Sequence, residues 1–243
     1  MIRVEGVSFR YPGAERDSLQ GVSLTIPTGS LFGLIGPNGA GKTTLISLIT
    51  GLLPLQTGSI TLDGDGNHGK SIGYIPQEYA FYPNLSAREN LEFFAGVQGL
   101  KGAECQRRIR DCLAFCQLET VANQRAGRFS GGLKRRLNIA IGLLKDAPIL
   151  FFDEPTVSID PQSRAFILGQ IQVLRERGKT ILYTSHYMEE VEQLCDHLAI
   201  IDHGQLLCQG TLAELGVTGE GAGKSRHRLE QLFFELTDRR LRD

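Results

Sequence analysis

The sequence lacks a net positive charge and long apolar runs. Its 26 lysines and arginines are offset by 27 aspartates and glutamates, which gives a formal net charge of −1. Domains that bind nucleic acid through bulk electrostatics usually carry a clear basic excess, so we expect no nucleic-acid partner. The longest apolar stretches, such as Leu31–Ile35 and Ile139–Leu144, are far shorter than the roughly 18–20 residues that span a bilayer.

A secretory signal and a metal-binding cysteine pattern are also missing. The chain does not open with a charged segment followed by an apolar one, so we expect a cytoplasmic location. The cysteines have neither the paired spacing nor the neighbouring histidines of a metal site. They lie at Cys105, Cys112, Cys116, Cys195 and Cys208. Because disulfides are rare in the cytosol, we expect reduced, partly buried thiols.

The apolar pattern predicts an α/β fold. Four runs are apolar on both faces, as expected of strands buried in a parallel sheet: Leu31–Ile35, Ile149–Phe152, Thr180–Tyr183 and Leu198–Ile201. Helical repeats lie between them, at Leu45–Leu53, with Gly51 near the helix end, and at Ile167–Leu174, closed by Gly178. Alternating runs at Val22–Ile26 and Ser59–Leu62 predict half-buried antiparallel strands. Buried strands that alternate with amphipathic helices favour a parallel sheet.

Residues 84–145 interrupt this alternation. They are rich in helix formers, and Ile109, Cys112, Leu113 and Cys116 form one helical stripe. We therefore predict one domain over 1–216, with its core at 1–83 and 146–216 and a helical subdomain at 84–145. Residues 217–243 are predicted to be a glycine-rich linker followed by an amphipathic helix.

A phosphate-binding motif follows the first buried strand. It fits G-x-x-x-x-G-K-[ST] and opens a predicted helix. Its residues are Gly36, Pro37, Asn38, Gly39, Ala40, Gly41, Lys42, Thr43 and Thr44. Glycines let backbone N–H groups wrap a triphosphate, and the helix N-terminus adds a positive dipole end. Lys42 would bind the β- and γ-phosphates, and the Thr43 hydroxyl would ligate Mg²⁺. The motif predicts an ATP site.

A similar string at Thr218–Ser225 begins with threonine where the motif needs glycine, and no buried strand precedes it. We interpret it as a flexible linker.

Two carboxylates end the buried strand Ile149–Phe152. Ligands bind at the carboxyl ends of parallel strands, so Asp153 is predicted to hold Mg²⁺ and Glu154 to orient or deprotonate the attacking water. Farther along, Asp160 followed by Pro161 predicts a helix N-cap.

Together these motifs resemble the nucleotide-binding subunit of ABC transporters along nearly the whole chain. The diagnostic segment is Phe129–Arg136, which resembles the ABC signature Leu-Ser-Gly-Gly-Gln. Phe129 and Leu133 depart from the usual form, whereas Ser130, Gly131 and Gly132 keep the part that contacts phosphate. The resemblance implies a P-loop NTPase (RecA-like) core with an N-terminal antiparallel β subdomain and an inserted α-helical subdomain.

The resemblance also implies roles for single residues. Tyr11 would stack on adenine, Gln77 would link Mg²⁺ and water to a membrane partner, Asp160 would lie in the D-loop, and His186 would contact the γ-phosphate. With Glu154 and Lys42, residues Gln77 and His186 complete the expected catalytic set.

In this family two copies meet head to tail, and each signature closes the ATP site of the other. ATP joins the copies and hydrolysis separates them, which is a ligand-biased two-state switch. The segments 129–138, 185–192 and 229–243 resemble drug, Nod-factor and haem exporter subunits. We therefore expect export through a separate transmembrane permease, with this chain peripheral on the cytoplasmic face of the membrane.

Other functions stay open. A soluble ABC-type ATPase acting on DNA or ribosomes shares this core but usually carries long coiled coils or two cores. An importer subunit is a further alternative, against which the missing large regulatory domain weighs mildly. A P-loop kinase or GTPase is disfavoured because the Ser130–Gly132 segment would then have no role.

Overall fold

A computed structural model describes residues 1–62, 72–218 and 228–237. Its strands are β1 Ile2–Phe9, β2 Leu19–Ile26, β3 Leu31–Ile35, β4 Thr57–Leu62, β5 Ile72–Ile75, β6 Ile149–Asp153, β7 Thr180–Thr184, β8 His197–Asp202 and β9 Gln205–Thr211. Its α-helices are α1 Lys42–Ile49, α2 Ala87–Val97, α3 Gly102–Phe115, α4 Gly131–Gly142, α5 Pro161–Glu176, α6 Met188–Leu194 and α7 Arg228–Thr237. The chain forms two compact units, a first unit of 1–70 with 178–243 and a second unit of 71–177.

The first unit contains a three-stranded antiparallel sheet in the order β2-β1-β4. This confirms the antiparallel strands predicted at Val22–Ile26 and Ser59–Leu62. Strand β1, which lies between them, was not predicted. Its apolar alternation breaks where the register shifts between Val4 and Val7, as a β-bulge causes.

The first unit also contains buried parallel strands. Strand β3 pairs in parallel with β7 and β8, and β9 pairs antiparallel with β8. All three strands predicted to be buried in this unit are present. Helix α1 follows β3 but ends at Ile49, so the prediction that placed Leu52 and Leu53 on this helix was wrong. Gly51 has φ 75°, which ends the helix, and Leu52 is 64% exposed.

In the second unit, β5 and β6 pair in parallel, with Ile72 opposite Ile149. Along the chain, these strands are separated by α2, α3 and α4. All three helices fall within the segment predicted to be helical. The predicted stripe on α3 is buried at Ile109, Cys112 and Leu113. The boundaries proposed for that subdomain stay a prediction.

Helix α7 confirms the amphipathic helix predicted near the C-terminus, with Leu229 and Phe233 buried. Nearly all of the Thr218–Ser225 string lies outside the described residues. Among the described helices, none has the length and apolar character needed to cross a bilayer. The molecule is thus a mixed α/β protein with an antiparallel sheet, parallel strands and a helical segment, as predicted.

Candidate nucleotide site

The phosphate-binding motif forms the loop between β3 and α1. A Cβ atom at Gly36 would lie 2.2 Å from the carbonyl oxygen of Ile201, so the backbone there leaves no room for a side chain. Gly41 has φ 108°, and a Cβ on it would lie 2.7 Å from the carbonyl oxygen of Ser18. Close packing and a left-handed backbone therefore require glycine at both ends of the loop.

Lys42 is the first residue of α1, and its side chain folds back over the loop. Its Nζ donates hydrogen bonds to the carbonyl oxygens of Gly36 at 2.6 Å and Pro37 at 3.1 Å. The residue is only 6% exposed. A buried ammonium group beside the positive end of a helix dipole forms a favourable site for an anion such as phosphate.

Tyr11 is positioned beside the start of the same helix. Its hydroxyl lies 3.3 Å from the Thr44 hydroxyl, and its ring contacts Phe9 edge-on with centroids 4.9 Å apart. Tyr11 is nevertheless 41% exposed. A fixed aromatic ring with an exposed surface can stack on a planar base.

His186 follows β7, the strand that pairs with β3 just before the phosphate-binding loop. Strands β3 and β7 are parallel neighbours, with Leu34 opposite Thr184. Parallel strands end at the same edge of a sheet. Gly36 lies two residues after Leu34 and His186 two residues after Thr184, so the two segments leave the sheet side by side. The first unit thus brings the predicted Tyr11, P-loop and His186 to one region.

The second unit brings Gln77, Asp153 and Glu154 together in the same way. Strands β5 and β6 end side by side, and Gln77 Nε2 donates a hydrogen bond to Glu154 Oε2 at 3.2 Å. The Tyr74 hydroxyl donates to Asp153 Oδ2 at 3.3 Å. Burial, together with the Asp153 charge, raises the pKa of Tyr74 well above its ordinary value, so Tyr74 stays a donor.

The chemistry of these donors fits Mg²⁺. Asp153 and Glu154 are 2% and 6% exposed, and two buried carboxylates in succession favour a nearby cation. No group of three or more histidines, cysteines or acids suited to a metal occurs among the described residues. Mg²⁺ commonly uses one or two carboxylates and completes its shell with water and substrate phosphates. Asp153, at the end of β6, would be a suitable ligand within this unit.

Ser130 and Asp160 cap neighbouring helices of the second unit. The Ser130 hydroxyl accepts from the N–H of Leu133 at 3.3 Å, and Asp160 Oδ1 accepts from the N–H of Ser163 at 2.9 Å. The latter bond lowers the pKa of Asp160. A Cβ atom on Gly132 would meet Ser163 Oγ at 1.9 Å, so the signature segment packs directly against the helix that Asp160 begins.

Asn138 is a candidate functional residue that the sequence reasoning missed. It is 2% exposed, and its Nδ2 donates to the carbonyl oxygens of Pro76 at 2.9 Å and Glu78 at 3.2 Å. Its Oδ1 accepts from the N–H of Ala80 at 2.9 Å. These bonds hold the backbone on both sides of Gln77. A lone amide within the apolar run of α4 was the available signal.

Comparison with known proteins identifies the family of this chain. The sequence model of a family described as "ABC transporter" matches residues 19–157, more than half of the chain. The chain belongs to the ABC transporter family. It contains the ATPase domain of that family, as the resemblance implied.

Two ATP-binding proteins are similar to most of this chain. The chain is 43% identical to the linearmycin resistance ATP-binding protein LnrL of Bacillus subtilis, over 88% of this chain and 70% of that protein. It is 38% identical to the Nod factor export ATP-binding protein I of Ralstonia nicotianae, over 88% of this chain and 68% of that protein.

Solved structures are similar as well. An ATP-binding subunit of an ABC transporter matches with a TM-score of 0.83 and 30% identity, over 98% of this chain and 99% of that chain. A dimeric post-hydrolysis state of the ATP-binding cassette MJ0796, bound to ADP and Pi, matches with a TM-score of 0.78 and 26% identity, over 90% and 100% of the two chains.

Proposed function

We propose that this chain is the ATP-hydrolysing subunit of an exporter and that it works as a head-to-tail dimer on a separate transmembrane permease. The dimer would lie on the cytoplasmic face of the membrane. The observation that carries the proposal is the 43% identity to a resistance ATP-binding protein over 88% of the chain. The Nod factor export relative supports the same direction of transport.

Each unit supplies part of the proposed chemistry. In the first unit, Lys42 and the backbone of the P-loop bind the phosphates, Tyr11 stacks on adenine, and His186 contacts the γ-phosphate. When bound, Mg²⁺ neutralises phosphate charge, and its proposed ligands are Thr43, Asp153 and Gln77.

In the second unit, Glu154 orients the attacking water and accepts its proton, while Gln77 fixes the Glu154 carboxylate through their hydrogen bond. In phosphoryl transfer, most of the catalysis comes from electrostatic stabilisation of the phosphates and from positioning of the reacting groups.

The position of the signature segment, Phe129–Arg136, supports the proposed dimer. Ser130 and Gly131 are exposed at the N-terminus of α4, which makes them accessible to a ligand held by another molecule. A helix N-terminus presents N–H groups to anions. We propose that this end of α4 contacts the γ-phosphate held by the second copy, with Gly132 and Asp160 at the same interface.

An aromatic patch supports the proposal of a permease partner. We define this patch as Tyr82, Phe93, Phe94 and Val97. Tyr82, Phe93 and Val97 are 49%, 44% and 69% exposed, and the rings of Tyr82 and Phe93 lie 4.9 Å apart. Exposed apolar clusters of this kind mark interaction surfaces. A cavity of about 250 Å³ adjoins the patch and is lined by Phe94 and Asn138 among others.

The dimer can be tested with the purified chain. We expect the rate of ATP hydrolysis per molecule to rise with protein concentration, and a non-hydrolysable ATP analogue to produce a dimer in size-exclusion chromatography with light scattering. A constant rate per molecule, with a monomer at saturating analogue, would contradict the proposal.

The permease can be tested in the native membrane. The tagged wild-type chain should co-purify with one integral membrane protein, whereas the double variant Phe93→Ser/Val97→Ser should lose that protein and keep ATP hydrolysis. A matched control is Arg107→Ser, which changes an exposed residue on α3. Equal recovery of the membrane protein by all three chains would show that the aromatic patch does not bind the permease.

A further inference from the structure

Glu190 is a buried acid close to His186, the residue proposed above to contact the γ-phosphate. It lies on α6, four residues after His186, and is 1% exposed. Its Oε2 accepts a hydrogen bond from the Tyr183 hydroxyl and another from Ser185 Oγ at 2.8 Å. A buried carboxyl group is costly unless its oxygens are satisfied. Here both donors come from the segment that leads directly into His186.

Ser185 extends this contact to the other side of His186. The Ser185 hydroxyl donates to Glu190, and its oxygen accepts from the backbone N–H of Tyr187 at 3.0 Å. The Tyr187 carbonyl oxygen in turn accepts from the N–H of Glu190 at 3.1 Å. Glu190 is therefore linked to the residue before His186 and to the residue after it.

These bonds replace an ordinary helix cap. Helix α6 begins after Tyr187, whose side chain makes no capping hydrogen bond. Capping side chains normally fix the direction in which a chain enters a helix. In this turn, that task falls to the Glu190 carboxyl group acting through Ser185.

We propose that Glu190 is a positioning residue for His186. Without its carboxyl group, the Tyr183 and Ser185 hydroxyls lose their buried acceptor, and the turn gains other conformations. His186 then spends less time in the orientation that contacts the γ-phosphate, which lowers turnover in proportion to the lost population. ATP affinity should change little, because the P-loop contacts of Lys42 do not involve this turn. The proposal rests on the role proposed above for His186.

The test is a double-mutant cycle on ATP turnover by the full chain, using Glu190→Ala, His186→Ala and the double variant. Turnover is followed by release of radiolabelled phosphate, and ATP affinity by equilibrium dialysis. We expect Glu190→Ala to lower kcat about tenfold in the wild-type background and less than about twofold in the His186→Ala background. ATP affinity of Glu190→Ala should stay within about twofold of wild type, and in the His186→Ala background it should stay within about twofold of that of His186→Ala.

Milder variants keep the test decisive if Glu190→Ala folds poorly. Glu190→Gln retains an acceptor oxygen of the same reach and should keep most of the turnover, whereas Ser185→Ala should reproduce the loss. Glu189→Gln, an exposed neighbour on the same helix, is the matched control and should behave as wild type.

The outcomes separate the two proposals. An equal loss from Glu190→Ala in both backgrounds, or a loss confined to ATP affinity, would show that Glu190 acts independently of His186 and would overturn its positioning role. If His186→Ala alone retained wild-type turnover, the role proposed for the histidine would fail, whatever the result at Glu190.

Discussion

Gln77 donates a hydrogen bond to Glu154, with Nε2 and Oε2 3.2 Å apart. Each residue lies two positions beyond the strand pair Ile75 and Phe152, so the contact joins the ends of two parallel strands. Glu154 has φ 46°, a left-handed conformation that costs a non-glycine residue roughly 1–2 kcal/mol. Such strain persists only where the surroundings hold a side chain in place. The contact and the strain together suit a carboxylate that must be aimed at one point.

Glu154→Gln tests this residue as the proposed base. Glutamine has the same shape and can still accept from Gln77, but it cannot take a proton from water. We expect turnover to fall by about 100-fold or more, ATP binding to be kept, and an ATP-bound dimer to accumulate. Phosphate release and light scattering measure these quantities. Glu119→Gln, an exposed acid on a short turn, is the control, and unchanged turnover in Glu154→Gln would exclude Glu154 as the base.

Mixing two inactive variants tests the composite site. Lys42→Ala removes the P-loop charge from its own copy, and Ser130→Arg blocks the signature surface of the other. If signatures act in trans, a heterodimer of the two variants contains one site with both parts intact. We expect each variant alone to be inactive and the mixture to recover up to about half of the wild-type turnover per heterodimer. No recovery at any mixing ratio would contradict a shared site.

The sequence predicted most of the parallel strands because they are buried on both faces. Runs such as Leu31–Ile35 and Ile149–Phe152 match β3 and β6 to within one residue. Motifs with fixed spacing could also be read directly, since a P-loop needs glycine, lysine and threonine at set positions between a strand and a helix.

Other features could not be read from the chain. Strand β1 escaped because a bulge breaks its alternation, and β9 escaped because none of its residues is fully buried. Tyr74 and Asn138 were missed for a different reason. Their importance comes from partners far away in sequence, Asp153 and Pro76, and a pattern within one segment does not reveal such contacts.

Gly131 and Gly132 form a matched pair for testing how the signature packs. A Cβ on Gly132 would overlap Ser163 Oγ at 1.9 Å, whereas a Cβ on Gly131 would find its nearest atom 3.7 Å away. We expect Gly132→Ala to lower the free energy of unfolding by about 1–3 kcal/mol through overpacking, and Gly131→Ala to change it by less than about 0.5 kcal/mol. Chemical denaturation measures both. Adding Ser163→Gly to Gly132→Ala should restore part of the loss, and equal effects of the two alanines would contradict this packing.

The thiol of Cys112 predicts how stability depends on alkaline pH. Burial raises its pKa from 9.0 to about 12, so above pH 9 the folded state keeps a proton that the unfolded chain loses. The contribution of this thiol to the free energy of unfolding is fully present below pH 9. It is lost as the pH rises from 9 towards 12, by up to ~1.4 kcal/mol per pH unit. We expect Cys112→Ala to show a shallower fall in the free energy of unfolding between pH 9 and 10 than wild type. Because tyrosines and lysines titrate in both proteins, the difference between the two slopes isolates this thiol. The less buried Cys105 supplies the control variant Cys105→Ala, and a slope for Cys112→Ala equal to wild type would show that the thiol ionises in the folded helix.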